Sequence, residues 1–210
     1  PISKRSLRKQ LQRLRPDIVH IHNLYPLISP SVLSECTKAG APVVMTVHNY
    51  RLVCPTGLHT YKGRTCEKCV GGREYWCVLQ NCERSMPKSL GYALRNFAAR
   101  VLRFYRNNVT LYLCLTEFQR KRLIAAGCSD NRMLVVPNAA QIVEGFNEQV
   151  GNYVGFLGRL SPEKGIDSLI KAAKLCPDIP FRLAGRFDRV PDLESNRPQN
   201  FDLLGHVSGS

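Results

Sequence analysis

Short β-branched runs alternate with amphipathic helical segments along this chain, and this alternation restricts its fold more than any other feature. Apolar runs over 18–21 and 43–47 flank a predicted helix over 31–39, which Gly40 ends. A strand, a helix and a strand in that order are typical of a parallel βαβ unit. The sequence therefore predicts an α/β fold built on parallel sheets.

The alternation continues beyond this first unit and divides the chain into two parts. The further elements are predicted helices over 6–14, 90–105, 116–126 and 166–175, and predicted strands over 109–115, 133–136, 153–157, 181–184 and 202–204. We predict a first domain over 1–138 with a long irregular insertion over 50–87, a linker over 139–152, and a second domain over 153–210.

The helix predicted over 90–105 has two interpretations. One face is apolar and the opposite face is basic, with Leu90, Leu94, Phe97, Val101 and Phe104 on the first and Lys88, Arg95, Arg103 and Arg106 on the second. Either the apolar face packs on the core and the basic face is solvated, or the helix contacts an anionic membrane surface.

Segment 155–165 combines a strand end, a basic loop and a helix start. Arg159 and Lys164 follow an apolar run, and helical periodicity begins directly after Gly165. Two fixed cations together with the free N–H groups of a helix start suit a phosphate or diphosphate. The segment matches neither the P-loop pattern nor the G-x-G-x-x-G dinucleotide pattern. An ordinary turn with two solvated cations is the alternative.

The charge balance favours anionic partners. The chain has 30 basic and 16 acidic residues, a net charge of +14, which attracts nucleotides, lipid head groups or nucleic acid. Neither a zinc-finger spacing with paired histidines nor an RNA-recognition signature is present, so we predict no nucleic-acid partner. No secretory signal or bilayer-length apolar run is visible. We therefore predict a cytoplasmic protein with peripheral contact to the inner face of the plasma membrane.

A cluster of cysteines marks the insertion. Cys66 and Cys69 have the C-x2-C spacing of zinc ligands, Cys77 and Cys82 follow, and Cys54 precedes them. A four-thiolate zinc site at Cys66, Cys69, Cys77 and Cys82 would stabilise a segment that has little apolar core. We predict structural zinc there, with buried free thiols or disulfides as the alternatives.

Several segments together resemble one family of enzymes. They occur in the family's order, and they are Pro16–Asn23, Pro42–Asn49, Leu115–Leu123, Val135–Asn138, Gly155–Gly165 and Phe181–Gly185. This set resembles the retaining, nucleotide-sugar-dependent glycosyltransferases of family 4, whose GT-B fold has two Rossmann-like domains. The resemblance implies transfer of a sugar from a nucleotide diphosphate sugar to a carbohydrate or lipid-linked carbohydrate acceptor, with retention at the anomeric carbon.

The resemblance also implies roles for individual residues. Arg159 and Lys164 match the positions that grip the donor diphosphate in place of a metal, so no cofactor is implied for catalysis and any zinc would be structural. His48, at the end of a predicted parallel strand, matches the active-site histidine of the first domain. The other residues implied are Gly155, Gly158, Gly185 and His206 on the donor side, and Asn49 and Glu117 on the acceptor side. His20 and His22, on or near the predicted strand over 18–21, are interpreted as structural or, at most, as supports for another site residue.

The sequence departs from the family's pattern in three respects. Asn138-Ala139 stands where the family usually has Asn-Gly, and neither the Gly-rich first loop nor the E-x7-E motif has a counterpart. We therefore expect an internal fragment of a longer enzyme, with both domains incomplete and no activity by itself, and a genuine 210-residue protein is the alternative. The rival hypothesis is a non-enzymatic, zinc-stapled basic module that binds an anionic polymer or membrane surface.

Overall fold

The chain folds into two compact units in a computed structural model. The structure describes residues 2–25, 28–140, 151–186, 190 and 192–207. The first unit spans 1–140 and the second spans 141–210. Within the described ranges, no helix has both the length and the apolar character needed to cross a bilayer. Most of the predicted linker over 139–152 lies outside the described residues.

The first unit is built on a parallel four-stranded sheet, as predicted for an α/β fold. Its elements are α1 Ile2–Leu14, β1 Val19–His22, α2 Leu33–Lys38, β2 Val43–Val47, β3 Thr60–Tyr61, β4 Arg64–Thr65, α3 Tyr75–Leu79, α4 Met86–Val101, α5 Phe104–Asn108, β5 Leu111–Cys114, α6 Glu117–Ala125 and β6 Met133–Val135. The sheet order is β1-β2-β5-β6, and all three pairings are parallel. Because strands run in the same direction, their carboxyl ends meet at one edge of the sheet.

The core of this unit surrounds the central strand β2. Val43 and Val47 are buried, as expected of a parallel strand that is covered on both faces. Leu33 from α2 and Leu123 from α6 are fully buried in the same cluster. The helix α6 begins with a cap in which the Thr116 side chain accepts a hydrogen bond from the backbone N–H of Gln119 at 3.1 Å.

The insertion over 50–87 has its own small structure. It contains the antiparallel hairpin β3-β4, the short helix α3 and the start of α4. A separate small cluster packs Cys69, Cys77 and Ala93 together. The Glu74 carboxylate accepts hydrogen bonds from Arg100 and so ties the insertion to α4. Polar contacts therefore supply much of what holds this segment in place.

The helix α4 corrects one interpretation from the sequence. Its apolar face does not pack on the core, since Leu90, Leu94 and Phe97 are all exposed. The buried face instead carries Ser89, Ala93, Asn96 and Ala99. The predicted helix over 90–105 also breaks at Arg103, whose φ of 51° is left-handed, and continues as α5.

The second unit is a smaller parallel sheet with one long helix. Its elements are β7 Val154–Leu157, α7 Ile166–Leu175, β8 Phe181–Ala184, α8 Leu193–Asn196 and β9 Phe201–Gly205, with sheet order β7-β8-β9. Ile166 and Leu183 are fully buried, and Phe181 packs against Phe201. The edge strand β7 is largely exposed, with Leu157 at 79%.

Candidate functional site

The carboxyl ends of β1 and β2 bring two histidines together. His22 is the last residue of β1, and His48 directly follows β2. The Nδ1 atom of His22 lies 2.8 Å from the Nε2 atom of His48. One of these nitrogens must donate and the other accept, so the contact holds a single proton. His20 instead contacts the Thr46 hydroxyl at 2.8 Å across the same pair of strands.

His48 is suited to neutral hydrogen bonding. It is half-buried, whereas His22 is exposed. Burial, and after it the nearby imidazoles of His22 and His20, lowers the pKa of His48 from the ordinary value of 6.5. At neutral pH the His48 ring is therefore uncharged, and its Nδ1 can hydrogen-bond to a ligand while Nε2 contacts His22.

Two asparagines extend the same sheet edge by one residue. Asn49 donates from Nδ2 to Oδ1 of Asn23 at 3.2 Å, and its own Oδ1 accepts from the backbone N–H of Arg51 at 3.0 Å. The loop that follows closes through a hydrogen bond from the Tyr50 backbone N–H to the Gly57 carbonyl. Gly57 has a φ of 80°, and an added Cβ would lie 2.5 Å from the Arg51 side chain. Glycine at this position therefore fixes the loop next to Asn49.

Glu117 lies in the first turn of α6, which follows β5 at the same edge of the sheet. Its Oε1 accepts a hydrogen bond from Arg120 at 2.9 Å, and Arg120 also pairs with Asp130. No hydrogen bond joins Glu117 to His48 in the part of the chain that the structure describes. The observed contacts are those of an acid at a helix start, and the predicted role on the acceptor side stays a prediction.

In the second unit, the carboxyl ends of the three strands approach closely. The backbone N–H of Gly158 donates to the Ala184 carbonyl at 2.9 Å, and that of Gly185 donates to the Gly205 carbonyl at 2.7 Å. A Cβ added at Gly185 would lie 1.8 Å from the Gly158 carbonyl oxygen. Only glycine fits at 185, and it lets the ends of β7 and β8 meet.

The basic loop starts from this junction. Leu160 is buried and its backbone N–H donates to the Arg186 carbonyl at 2.8 Å. Arg159 is 57% exposed, and its Nη2 lies 3.9 Å from the Glu163 carboxylate. Lys164 is exposed at the end of a short 3₁₀ turn that leads through Gly165 into α7. Buried and hydrogen-bonded backbone thus anchors a loop whose two cations point outward.

The structure of the second unit favours glycine at one of the other predicted donor-side positions but not at another. A Cβ added at Gly155 would lie 3.6 Å from Cε2 of Tyr153, an ordinary contact, so packing in this unit does not require glycine there. Gly158 has a φ of 147°, which favours glycine. His206 is exposed directly after β9, on the same sheet edge as Gly185. Their contacts with a donor stay predictions.

The four predicted zinc-ligand cysteines lie near one another. The Sγ atoms of Cys66 and Cys82 both approach Oε1 of Gln80, at 3.7 and 4.0 Å, while Cys69 and Cys77 are buried beside them. Burial, reinforced by neighbouring thiols, raises the pKa of Cys69 to about 12. Within the described ranges, no group of three or more Cys, His, Asp or Glu side chains is arranged to hold a metal ion. Structural zinc therefore stays a prediction.

His22 is the site residue whose place the sequence did not reveal. From the sequence it is interpreted as structural or, at most, as a support for another site residue, and in the structure it directly contacts His48. The available signal was positional: His22 and His48 end consecutive strands of one βαβ unit, and such ends meet at a single sheet edge.

Two parallel-sheet units, each with candidate site residues at the carboxyl ends of its strands, have the fold of the GT-B glycosyltransferases. TarM of S. aureus superposes with a TM-score of 0.56 at 17% identity over 96% of this chain and 36% of TarM. HepE of Anabaena, solved in complex with UDP-glucose, gives 0.55 at 16% identity over 98% of this chain and 52% of HepE. The lipopolysaccharide outer core galactosyltransferase WaaB gives 0.50 at 14% identity over 98% of this chain and 48% of WaaB. At these identities the likeness concerns the fold.

The sequence narrows this class to one family. Residues 1–142 match glycosyltransferase family 4, and the chain belongs to that family. It is also 26% identical over 199 residues to an uncharacterized 42.6 kDa protein in the cps region of Klebsiella pneumoniae, covering 92% of this chain and 47% of that protein. The chain thus spans about half the length of the curated relative that it matches.

Proposed function

We propose that this chain is part of an enzyme that transfers a sugar from a nucleotide diphosphate sugar to a carbohydrate or lipid-linked carbohydrate acceptor, with retention at the anomeric carbon. Membership of glycosyltransferase family 4 supports the reaction class. HepE was solved with UDP-glucose and TarM with UDP. These ligands make a uridine diphosphate sugar the first donor to test.

The observation that carries the proposal is the anchored basic loop of the second unit. Gly158 and Gly185 bring the strand ends together, and the loop leaves this junction with Arg159 and Lys164 exposed. Crevices at the carboxyl ends of parallel strands are where open α/β sheets bind ligands. Two cations held there suit the two phosphates of a nucleotide diphosphate.

The same two cations account for catalysis. When the bond between sugar and diphosphate breaks, negative charge grows on the departing diphosphate. Fixed cations aimed at that charge stabilise the transition state more than the ground state, which is what raises the rate. We propose that Arg159 and Lys164 supply this stabilisation, so that transfer requires no metal. Gly155, Gly158, Gly185 and His206 are the other proposed donor-side residues.

In the first unit, the imidazole pair is proposed to bind sugar hydroxyls. His48 is the residue that we assign to direct contact, since its lowered pKa keeps it neutral. His22 is a positioning residue, because its 2.8 Å contact fixes which nitrogen of His48 remains available. Asn49 and Glu117 lie at the same sheet edge as further acceptor-side candidates.

Calorimetric titration of the full-length protein with a panel of nucleotide diphosphates tests the proposal. We expect saturable binding of one nucleotide, weakened at least roughly tenfold in Arg159→Ala and in Lys164→Ala, because each removes a charged phosphate contact. Lys171→Ala is the matched control, since Lys171 is an exposed cation on α7 outside the loop.

Two results would contradict the proposal. Wild-type affinity in both loop variants would reduce Arg159 and Lys164 to solvated surface charges. A folded protein that binds no nucleotide in the panel, but does bind an anionic polymer, would favour the rival basic module.

A further inference from the structure

The helix α4 presents an uncharged apolar face to solvent. We name this the α4 stripe, and its residues are Met86 at 52% exposure, Leu90 at 47%, Leu94 at 56%, Phe97 at 49% and Val101 at 52%. Their spacing of three and four places all five on one side of the helix. At 1.5 Å rise per residue the helix is about 24 Å long. Contiguous exposed apolar surface of this extent marks an interaction site.

The helix is held in this orientation by its polar side. Asn96 donates to the Arg51 carbonyl at 2.9 Å, and Arg95 donates to the Pro55 carbonyl at 2.7 Å. Arg100 donates to the buried Glu74 carboxylate at 2.7 Å. Arg95 and Asn96 make their contacts from outside the stripe, and Arg100 reaches Glu74 from the stripe's edge, where its guanidinium also lies 5.4 Å from the Phe97 ring. The helix α4 cannot rotate its apolar residues inward without breaking these contacts.

The stretch of sequence that contains the stripe carries only positive charges. Residues 84–116 contain no Asp or Glu, while the cations among them are Arg84, Lys88, Arg95, Arg100, Arg103 and Arg106. Arg84, Lys88, Arg103 and Arg106 are exposed, and none of these four takes part in an ion pair among the described residues. Arg84 precedes the helix and Arg103 and Arg106 follow it, so unpaired cations lie beyond both ends of the stripe, while Lys88 lies on the opposite face.

A cavity of about 870 Å³ adjoins the C-terminal end of the stripe. Its lining includes Val101 of the stripe and the guanidinium side chains of Arg51, Arg100, Arg103, Arg106 and Arg132. Glu74 is the acid that lines it, and it is already paired with Arg100. A cluster of arginines beside an apolar face matches the two parts of an anionic lipid, a charged head group and acyl chains.

From these features we infer that α4 lies in the surface of an anionic phospholipid membrane, with the α4 stripe in the acyl-chain boundary and Arg103 and Arg106 on lipid phosphates. An apolar face of this kind with cations at its ends is how interfacial helices bind. Docking of two copies through their stripes is disfavoured, since it would bring together Arg84, Arg103 and Arg106 of each copy, which are unpaired among the described residues. This inference does not depend on the transferase reaction.

Flotation of the full chain with lipid vesicles tests the inference. We expect cofloating with vesicles of phosphatidylcholine and phosphatidylglycerol, weaker binding to phosphatidylcholine alone, and weakening at high salt. Leu94→Ser with Phe97→Ser should reduce partitioning roughly a hundredfold, because each buried Leu or Phe side chain is worth about a factor of ten. Phe118→Ser on α6, which removes an aromatic side chain of even higher exposure from the same unit, should bind like the parent.

The variants separate the two parts of the surface. Arg103→Gln with Arg106→Gln should lower binding to the anionic vesicles and leave the weak binding to phosphatidylcholine unchanged. Trp76 fluorescence and circular dichroism confirm that each variant is folded. Parental binding by the stripe variant would overturn the inference. So would a parent that ignores anionic vesicles but forms a dimer that Phe97→Ser dissociates.

Discussion

The ion pair between Glu74 and Arg100 should be asymmetric, so that losing the exposed partner costs more than losing the buried one. The Glu74 side chain is 8% exposed and that of Arg100 is 48% exposed. The pair is bidentate, with Nε to Oε1 at 2.7 Å and Nη2 to Oε2 at 3.2 Å. Without Arg100, a charged carboxylate stays buried and unpaired. Without the Glu74 charge, a half-exposed guanidinium can turn to water.

The magnitudes follow from this difference in burial. Removing one partner of a fully buried pair costs about 3–5 kcal/mol, and solvent at the arginine end reduces this. We expect Arg100→Met to lower the free energy of unfolding by about 2–3 kcal/mol. Glu74→Gln should lower it by about 1 kcal/mol, the value of one weakened hydrogen bond. Because the double variant contains no buried charge, it should recover about 1 kcal/mol of the Arg100→Met loss.

Urea unfolding followed by tryptophan fluorescence measures these values. Trp76 is the only tryptophan of the chain, and it packs beside Cys69 and Cys77 two residues after Glu74. It therefore reports on the segment that the ion pair holds. Equal losses in the two single variants, or strictly additive losses in the double variant, would refute the assignment of a buried charge at Glu74.

Three further outcomes are expected. Leu123→Ala should lower the free energy of unfolding by about 3 kcal/mol in the same urea assay, because Leu123 is fully buried in the first core. Because the pKa of His48 is lower in the folded protein than its ordinary value of 6.5, the free energy of unfolding should be unaffected by this group above pH 6.5 and should decrease as the pH falls from 6.5 through the folded pKa. NMR titration of His22→Ala should show a higher pKa for His48, since the His22 imidazole contributes to lowering it. Metal analysis of the purified protein should find about one zinc per chain, absent in Cys66→Ser, whereas a zinc-free parent would end the four-thiolate hypothesis.

The strands could be predicted from the sequence because burial selects their residues directly. The β-branched run over 43–47 is a central strand that is covered on both faces, and its bounds are the same in the structure. The helix over 166–175 is likewise as predicted, since Gly165 precedes it and its apolar spacing is regular. Local composition is sufficient for such elements.

The face that α4 buries could not be predicted in this way. Periodicity shows which residues share a side of a helix, but not which side meets the protein. Here Glu74, Pro55 and the Arg51 carbonyl, all 26 or more residues away in sequence, hold the polar side inward. The contact between His22 and His48 also could not be predicted from local periodicity, because it depends on the pairing of strands 26 residues apart.

The close approach of two strand ends at Gly185 leaves no room for a side chain at this position. A methyl group is the smallest side chain that could be added, and it would overlap the Gly158 carbonyl at 1.8 Å. An engineer who randomises the loop over 159–164 should therefore keep glycine at position 185. Substitutions at the neighbouring exposed positions change the side chains of the loop and leave its backbone in place. Any substitution at 185 would instead separate the ends of β7 and β8 and so distort the loop itself.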